Sequence, residues 1–186
     1  MSHKVIKRFF AFADFMEEQE FLQNQHLKGW KFIKFQGLTK YTFEKCEPAD
    51  YSYQLDYRED DNEEESYLQI YKDCGWEYIM KYHTWYYFRK EKGKEDLNYS
   101  IFSDTESKID MYKRVNCRNI LNLLPICLIL YLCFINTLGM ESSILKTLIL
   151  LITNIPFIFA VSAFILVIRN HIKLNGMVKT IKTPFK

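Results

Sequence analysis

The sequence is short of the residues that build loops and reactive sites. It has six glycines and four prolines in 186 positions. So few glycines exclude a Gly-rich phosphate loop, and neither a nucleophile elbow nor a dinucleotide fingerprint is present. The four histidines, His3, His26, His83 and His171, share no ligand spacing, so no metal centre is expected. Cys46, Cys74, Cys117, Cys127 and Cys133 form no pair with redox or zinc spacing, and read as free thiols packed as small hydrophobes. Carboxylates crowd only in "REDDNEEE", residues 58–65, which reads as a solvated loop and helix start. These shortages point to a non-enzymatic protein without a cofactor. The N-terminal "MSHKVIKRFF" lacks the apolar core of a secretory signal.

Charge is absent from one long stretch, and that absence organises the chain. Residues 1–118 hold 19 Lys/Arg and 22 Asp/Glu, residues 119–168 only Glu141 and Lys146, and residues 169–186 five Lys/Arg and no acid. Asn119 to Met140 and Thr147 to Ile168 are each 22 residues without a charge. Each is long enough to cross a hydrocarbon core of about 30 Å as a helix. A transmembrane hairpin over 119–168 is therefore expected, with spans 119–140 and 147–168. Lys113, Arg114 and Arg118 precede it, and Arg169, Lys173, Lys179, Lys182 and Lys186 follow it. By the positive-inside rule both termini should be cytoplasmic in a two-pass protein of the cell membrane. Asn122, Asn154, Pro125 and Pro156 suit hairpin packing, and the spans offer no ionisable relay for transport.

What the first part has in plenty is aromatic residues, and they recur. "EFLQNQHLKGWKFIKFQGLTKYTFEK", residues 20–45, matches "SYLQIYKDCGWEYIMKYHTWYYFRK", residues 66–90, with Gly29-Trp30 on Gly75-Trp76, 46 residues apart. "VIKRFFAF" (5–12) and "YSYQLDYR" (51–58) keep the same offset. Each unit, about 4–46 and 50–91, reads strand–helix–strand–strand. Asp14 and Glu17 give a capping-box-like start, and acids crowd the first turn of the second helix. Phe15, Leu22 and Leu27 make one apolar stripe, and Tyr67, Leu68 and Tyr71 the other. Gly29 and Gly75 should end the helices in the left-handed conformation. "KFIKF", "KYTFEK", "EYIMKY" and "WYYFRK" are the closing strands. The expected fold class is α+β: a six-stranded, mostly antiparallel sheet over residues 1–97 with both helices on one face. A juxtamembrane helix over 98–118, capped by Ser103 with Glu106, should lead into the hairpin, and 169–186 should be a basic tail.

The doubled unit resembles, in topology only, the effector-binding fold of gyrase-inhibitor-like and multidrug-sensing proteins. "EPADYSYQLD" (47–56), "DCGWE" (73–77), "YYFR" (86–89) and "IFSD" (101–104) resemble an uncharacterised family of Gram-positive bacterial membrane proteins, over roughly residues 5–115. Genes of that family often stand beside PadR-type regulators. The resemblance implies a membrane-anchored cytoplasmic domain and brings no catalytic residues with it.

Two functional expectations follow. The first is an interaction or regulatory domain that meets the bilayer and either a protein partner or a second copy of itself. The second is a sensor of hydrophobic or cationic small molecules. Aromatics fall at both phases of the last strand, Trp85 with Tyr87 and Tyr86 with Phe88. More aromatic surface is present than two short helices need. Tyr53, Trp76, Tyr78, Trp85 and Tyr87, with Asp56 or Glu77 as an anion, are the candidate ligand site on an open sheet face. Packing of that face against another element is the competing reading. Lys81, Arg89, Lys90, Lys92 and Lys94 beside aromatics suggest base stacking, but the net acidity of the domain argues against nucleic acid.

Overall fold

The computed structural model of the protein describes residues 2–60, 62–93, 105–138 and 144–182. The chain divides into two compact units, Met1–Met111 and Tyr112–Lys186.

The first unit is α+β. Its elements run β1 (His3–Lys7), α1 (Phe15–His26), β2 (Trp30–Gln36), β3 (Lys40–Lys45), β4 (Tyr51–Tyr57), α2 (Glu64–Asp73), β5 (Glu77–Tyr82) and β6 (Trp85–Glu91). Both halves thus have the order strand–helix–strand–strand. Each half closes its own antiparallel sheet in the same spatial order, β1-β3-β2 and β4-β6-β5.

The six strands therefore form two three-stranded sheets and not one continuous sheet. The strands that could have joined them, β2 and β5, each carry an irregularity, between Phe32 and Lys34 and between Tyr78 and Met80. A bulge bends a strand and raises its local twist, which spoils it as a flat template. Side chains take backbone groups of β2 instead. Phe35 N–H donates to Met80 Sδ at 3.1 Å, and Arg89 Nη1 donates to the Phe32 carbonyl at 3.3 Å.

The helices also differ from the expectation of one shared face. Alternation along β6 sends Trp85 and Tyr87 to one side and Tyr86 and Phe88 to the other. α1 meets the first pair: Phe15 lies 5.4 Å from the Trp85 ring, and Tyr87 donates to Glu18. α2 meets the second pair, with Tyr67 5.1 Å from Tyr86 and Tyr71 4.6 Å from Phe88. α1 also packs on the first sheet, with Phe21 5.4 Å from Tyr41 and 5.9 Å from Phe43. It is wedged between the two sheets. The second sheet is covered on both faces, which is why its strands need aromatics at both phases.

Local signals explain the helix ends. Gly29 and Gly75 have φ of +79° and +80°, as a left-handed stop requires. After α2, Trp76 N–H bonds back to the Tyr71 carbonyl at 2.9 Å, a Schellman closure that lays the indole on Leu68 and Tyr71. Asp14 does not form the expected capping box. Its Oδ2 accepts from Ala11 N–H at 3.1 Å, tying the helix start to the incoming chain. Leu27 is exposed, and Phe21 takes its place in the buried stripe of α1.

The second unit comprises the rest of α3 (Thr105–Leu121), then α4 (Leu123–Leu138) and α5 (Ile144–Lys182). The chain turns at Asn122. Pro125 accounts for the break: it has no N–H for the Leu121 carbonyl four residues back, and its ring crowds that turn. α4 and α5 are apolar and pack together. Two helical stretches, Glu106–Leu132 and Phe157–Ile181, are long and apolar enough to cross a membrane. The helix expected over 98–118 runs Thr105–Leu121, and α5 continues through most of the basic tail. Ser103 and residues 139–143 lie outside the described residues.

Candidate functional site

The six candidate residues do not share one surface. Tyr53, Trp85 and Tyr87 lie on the face of the second sheet that packs against α1 and β2. Tyr53 is 2 % and Tyr87 3 % exposed. Asp56 lies on the opposite face, 5 % exposed, where its Oδ2 accepts from Tyr67 at 2.7 Å and Tyr71 at 3.2 Å. Burial and the Asp56 charge push the Tyr67 hydroxyl far above its ordinary pKa. Tyr53, Tyr87 and Asp56 are buried, and Trp85 is half-buried against Phe12, Phe15 and Tyr57, so among the described residues these four do not line an open sheet face.

Trp76 and Tyr78 do meet, in a groove between α2 and β5 with a volume near 640 Å³. Trp76 forms its buried wall, packed on Tyr86 and Phe88. Leu68 and Gln69 line it from α2, Lys72 and Glu77 add charge, and Tyr78 remains 39 % exposed. The groove exists because of the helix stop. Gly75 reverses the chain so that Trp76 turns back under α2 while Tyr78 starts up β5. Glu77 is held by Arg89, whose Nε donates to it at 2.6 Å. The site is therefore an apolar cleft with an aromatic floor and a mixed-charge rim, able to bind an amphipathic group. Ile70, on the outer side of α2, is 62 % exposed.

The groups with perturbed chemistry sit elsewhere, inside the core. Glu18 is 8 % exposed, and its Oε1 accepts from the hydroxyls of Tyr41 and Tyr87, each at 2.8 Å. Burial raises its pKa, and the two hydroxyl donors only partly offset that. His26 is 4 % exposed, lies 2.9 Å through Nδ1 from the Tyr53 hydroxyl, and stacks on Tyr51 at 4.2 Å. Burial, with the charges of Arg89 and Lys31, holds its pKa down to about 4. Neither residue was among the candidates. The signal was there: Phe15, Glu18, Leu22, Gln25 and His26 recur at three and four residues, so Glu18 and His26 fall on the apolar stripe.

The sequence profile of a family described as a protein of unknown function (DUF2812) matches residues 14–126. No curated protein and no solved structure matches the chain.

Proposed function

We propose, for a chain that belongs to the DUF2812 family of proteins of unknown function, a non-enzymatic recognition module held at the cell membrane by its two apolar helices. Its first unit engages the apolar segment of a protein partner through the α2–β5 groove. The observation that carries this reading is the pairing of Trp76 with half-exposed Tyr78 in one apolar cleft. Aromatic anchors in a partly desolvated cleft are the usual centres of protein recognition. The titratable groups with a catalytic look, Glu18, His26 and Asp56, are engaged by tyrosine hydroxyls in the core and not in the groove. We read the two halves of the first unit as copies of one ancestral unit, and place both termini in the cytoplasm from the basic flanks.

A second reading, a sensor of hydrophobic or cationic small molecules, is favoured by the size of the groove. Near 640 Å³, it falls within the range of small-molecule sites. One experiment separates the two. A photo-reactive residue at Gln69, in the full-length protein in its own membranes, should give one discrete protein adduct that Tyr78→Ala abolishes. Quenching of tryptophan fluorescence by cationic amphiphiles, lost on Tyr78→Ala and without a protein adduct, supports the sensor. Absence of both signals would rule out the groove as the site.

A further inference from the structure

The two sheets of the first unit differ in charge. β1, β2 and β3 carry six lysines against one acid, Glu44, whereas β4, β5 and β6 carry three basic residues against three acids. The basic excess is local, because residues 1–118 as a whole are net acidic. Register sorts the first sheet into two faces. α1 packs on one, the side of buried Tyr41 and Phe43. The other presents three cross-strand rows: His3–Glu44–Lys31, Val5–Thr42–Lys34 and Lys7–Lys40–Gln36.

The lysines of this open face are mostly unspent. Lys31 is held by Glu44 at 2.8 Å. Lys7, Lys34 and Lys40 are exposed, and among the described residues none of them has an ion-pair partner. Lys7 and Lys40 stand directly opposite each other, and like charges so placed cost stability. A lysine on the edge strand β1 guards it against pairing with another strand. Lys40 has no such task, because β3 is the central strand. An anion between the two turns their repulsion into attraction.

Apolar side chains stand at the same end of the sheet. Leu38, in the turn from β2 to β3, is 75 % exposed, and Phe9, just beyond β1, is exposed as well. Arg8 N–H donates to the Thr39 carbonyl at 2.8 Å, which lays the exit of β1 against that turn. The Tyr82 hydroxyl donates to the Gly37 carbonyl and fixes the turn. Val5 is exposed in the middle row. Lysines around isolated apolar tips fit one surface: lipid phosphates take the cations, and the headgroup–acyl boundary takes the tips. A nucleic acid would leave Leu38 and Phe9 in water. It would also find no ring to stack on, because Phe32, Phe35, Tyr41 and Phe43 lie on the α1 side of the sheet. We propose that the open face of the first sheet is a docking platform for an anionic phospholipid bilayer, with Lys7, Lys34 and Lys40 on the lipid phosphates and Leu38 and Phe9 at the headgroup–acyl boundary. This docking rests on the reading that the apolar helices hold the chain at a membrane, and is independent of the α2–β5 groove.

The test places one bimane at a time on the full-length chain, its five native cysteines changed to alanine, in nanodiscs carrying nitroxide-labelled lipid. Discs of phosphatidylcholine alone are compared with discs that are about one-third phosphatidylglycerol. At Leu38→Cys, quenching is expected in the anionic discs only, and should fade at about 0.5 M salt, where surface charges are screened. Asn24→Cys, exposed on α1 behind the sheet, should stay unquenched in both. Each lysine is worth about fivefold, so changing Lys7, Lys34 and Lys40 together to Gln should weaken docking roughly a hundredfold and abolish the Leu38 signal. The salt series gives the same reading where that variant does not fold. Leu128→Cys, on α4, reports separately on the apolar helices and should be quenched in both lipids. Quenching at Leu128 with none at Leu38 overturns the platform and leaves the anchor standing. No quenching at Leu128 overturns the anchor, and Leu38 then still reads the platform through binding to the anionic discs. Equal quenching of Leu38 in the two lipids, quenching that survives the triple change, or equal quenching at Asn24 would each overturn the platform. A shift of the Leu38 bimane on adding a single-stranded oligonucleotide, with none from phosphatidylglycerol, would assign the face to nucleic acid instead.

Discussion

At the scale of single residues, the first unit sets two buried titratable groups against each other. His26 Nδ1 lies 2.9 Å from the Tyr53 hydroxyl, whose oxygen also accepts from Phe32 N–H at 3.3 Å. An unfolded imidazole takes up its proton near about 6.5, whereas folded His26 waits until about 4. Between those values the unfolded state binds more protons, so stability falls as pH drops through this window and levels off below it. The loss is on the order of 3 kcal/mol. Denaturant midpoints followed by circular dichroism should therefore decline from neutral pH toward pH 4, and His26→Gln should flatten that slope. Glu18 acts with the opposite sign. Its pKa is raised, so its contribution is fullest below the ordinary carboxylate range and is lost as pH rises through the folded value. Glu18→Ala strands two buried hydroxyls, and should cost about 2–4 kcal/mol. Glu18→Gln keeps an acceptor for both, and should cost less than about 1 kcal/mol while removing the opposing pH term.

At the scale of elements, the two helix stops look alike but are not equally tolerant. A side chain at φ near +80° costs about 1–2 kcal/mol at either glycine. At Gly75 a Cβ would meet only the flexible end of Lys90, at 3.5 Å, whereas at Gly29 it would lie 3.0 Å from the backbone oxygen of Cys46. Gly29→Ala should therefore lower the denaturation midpoint more than Gly75→Ala, and equal losses would show that strain alone decides both. The stops were legible because glycine has a conformational meaning that no neighbour can change. So were β3, β4 and β5, whose bounds match the expected segments, with period-two alternation explicit in β4. How the strands assemble was less legible. Period two says that both faces of β6 carry aromatics, but not whether a face is covered or open. That depends on where α1 packs, which is settled by contacts such as Phe15 with Trp85 and Phe32 with Tyr87, far apart in sequence. The division into two sheets depends on bulges in β2 and β5, which leave no compositional trace. For the same reason only Trp76 and Tyr78 of the six candidates share the groove.

At the scale of the whole molecule, composition spoke plainly about the apolar block, because a bilayer imposes one length and one chemistry on anything that crosses it. It said less about where helices end. α5 has 39 residues, which is roughly 58 Å at the rise of an α-helix. That is nearly twice the hydrocarbon thickness, so the basic residues Arg169, Lys173 and Lys179 ride on the same rigid rod as the apolar stretch. Charge on such a rod is fixed in its distance from the apolar run, which strengthens its influence on orientation relative to charge on a loose tail. The basic residues before α4 reinforce the same choice. Both flanks argue for one side of the membrane, and we propose that the first unit lies there with them. Cys74, exposed at the end of α2, reports that side. In right-side-out vesicles an impermeant maleimide should leave Cys74 and an introduced Met177→Cys unlabelled, and label both once the membrane is permeabilised. Labelling of Cys74 in intact vesicles would invert the topology, and labelling of only one of the two would mean that the apolar helices do not both cross.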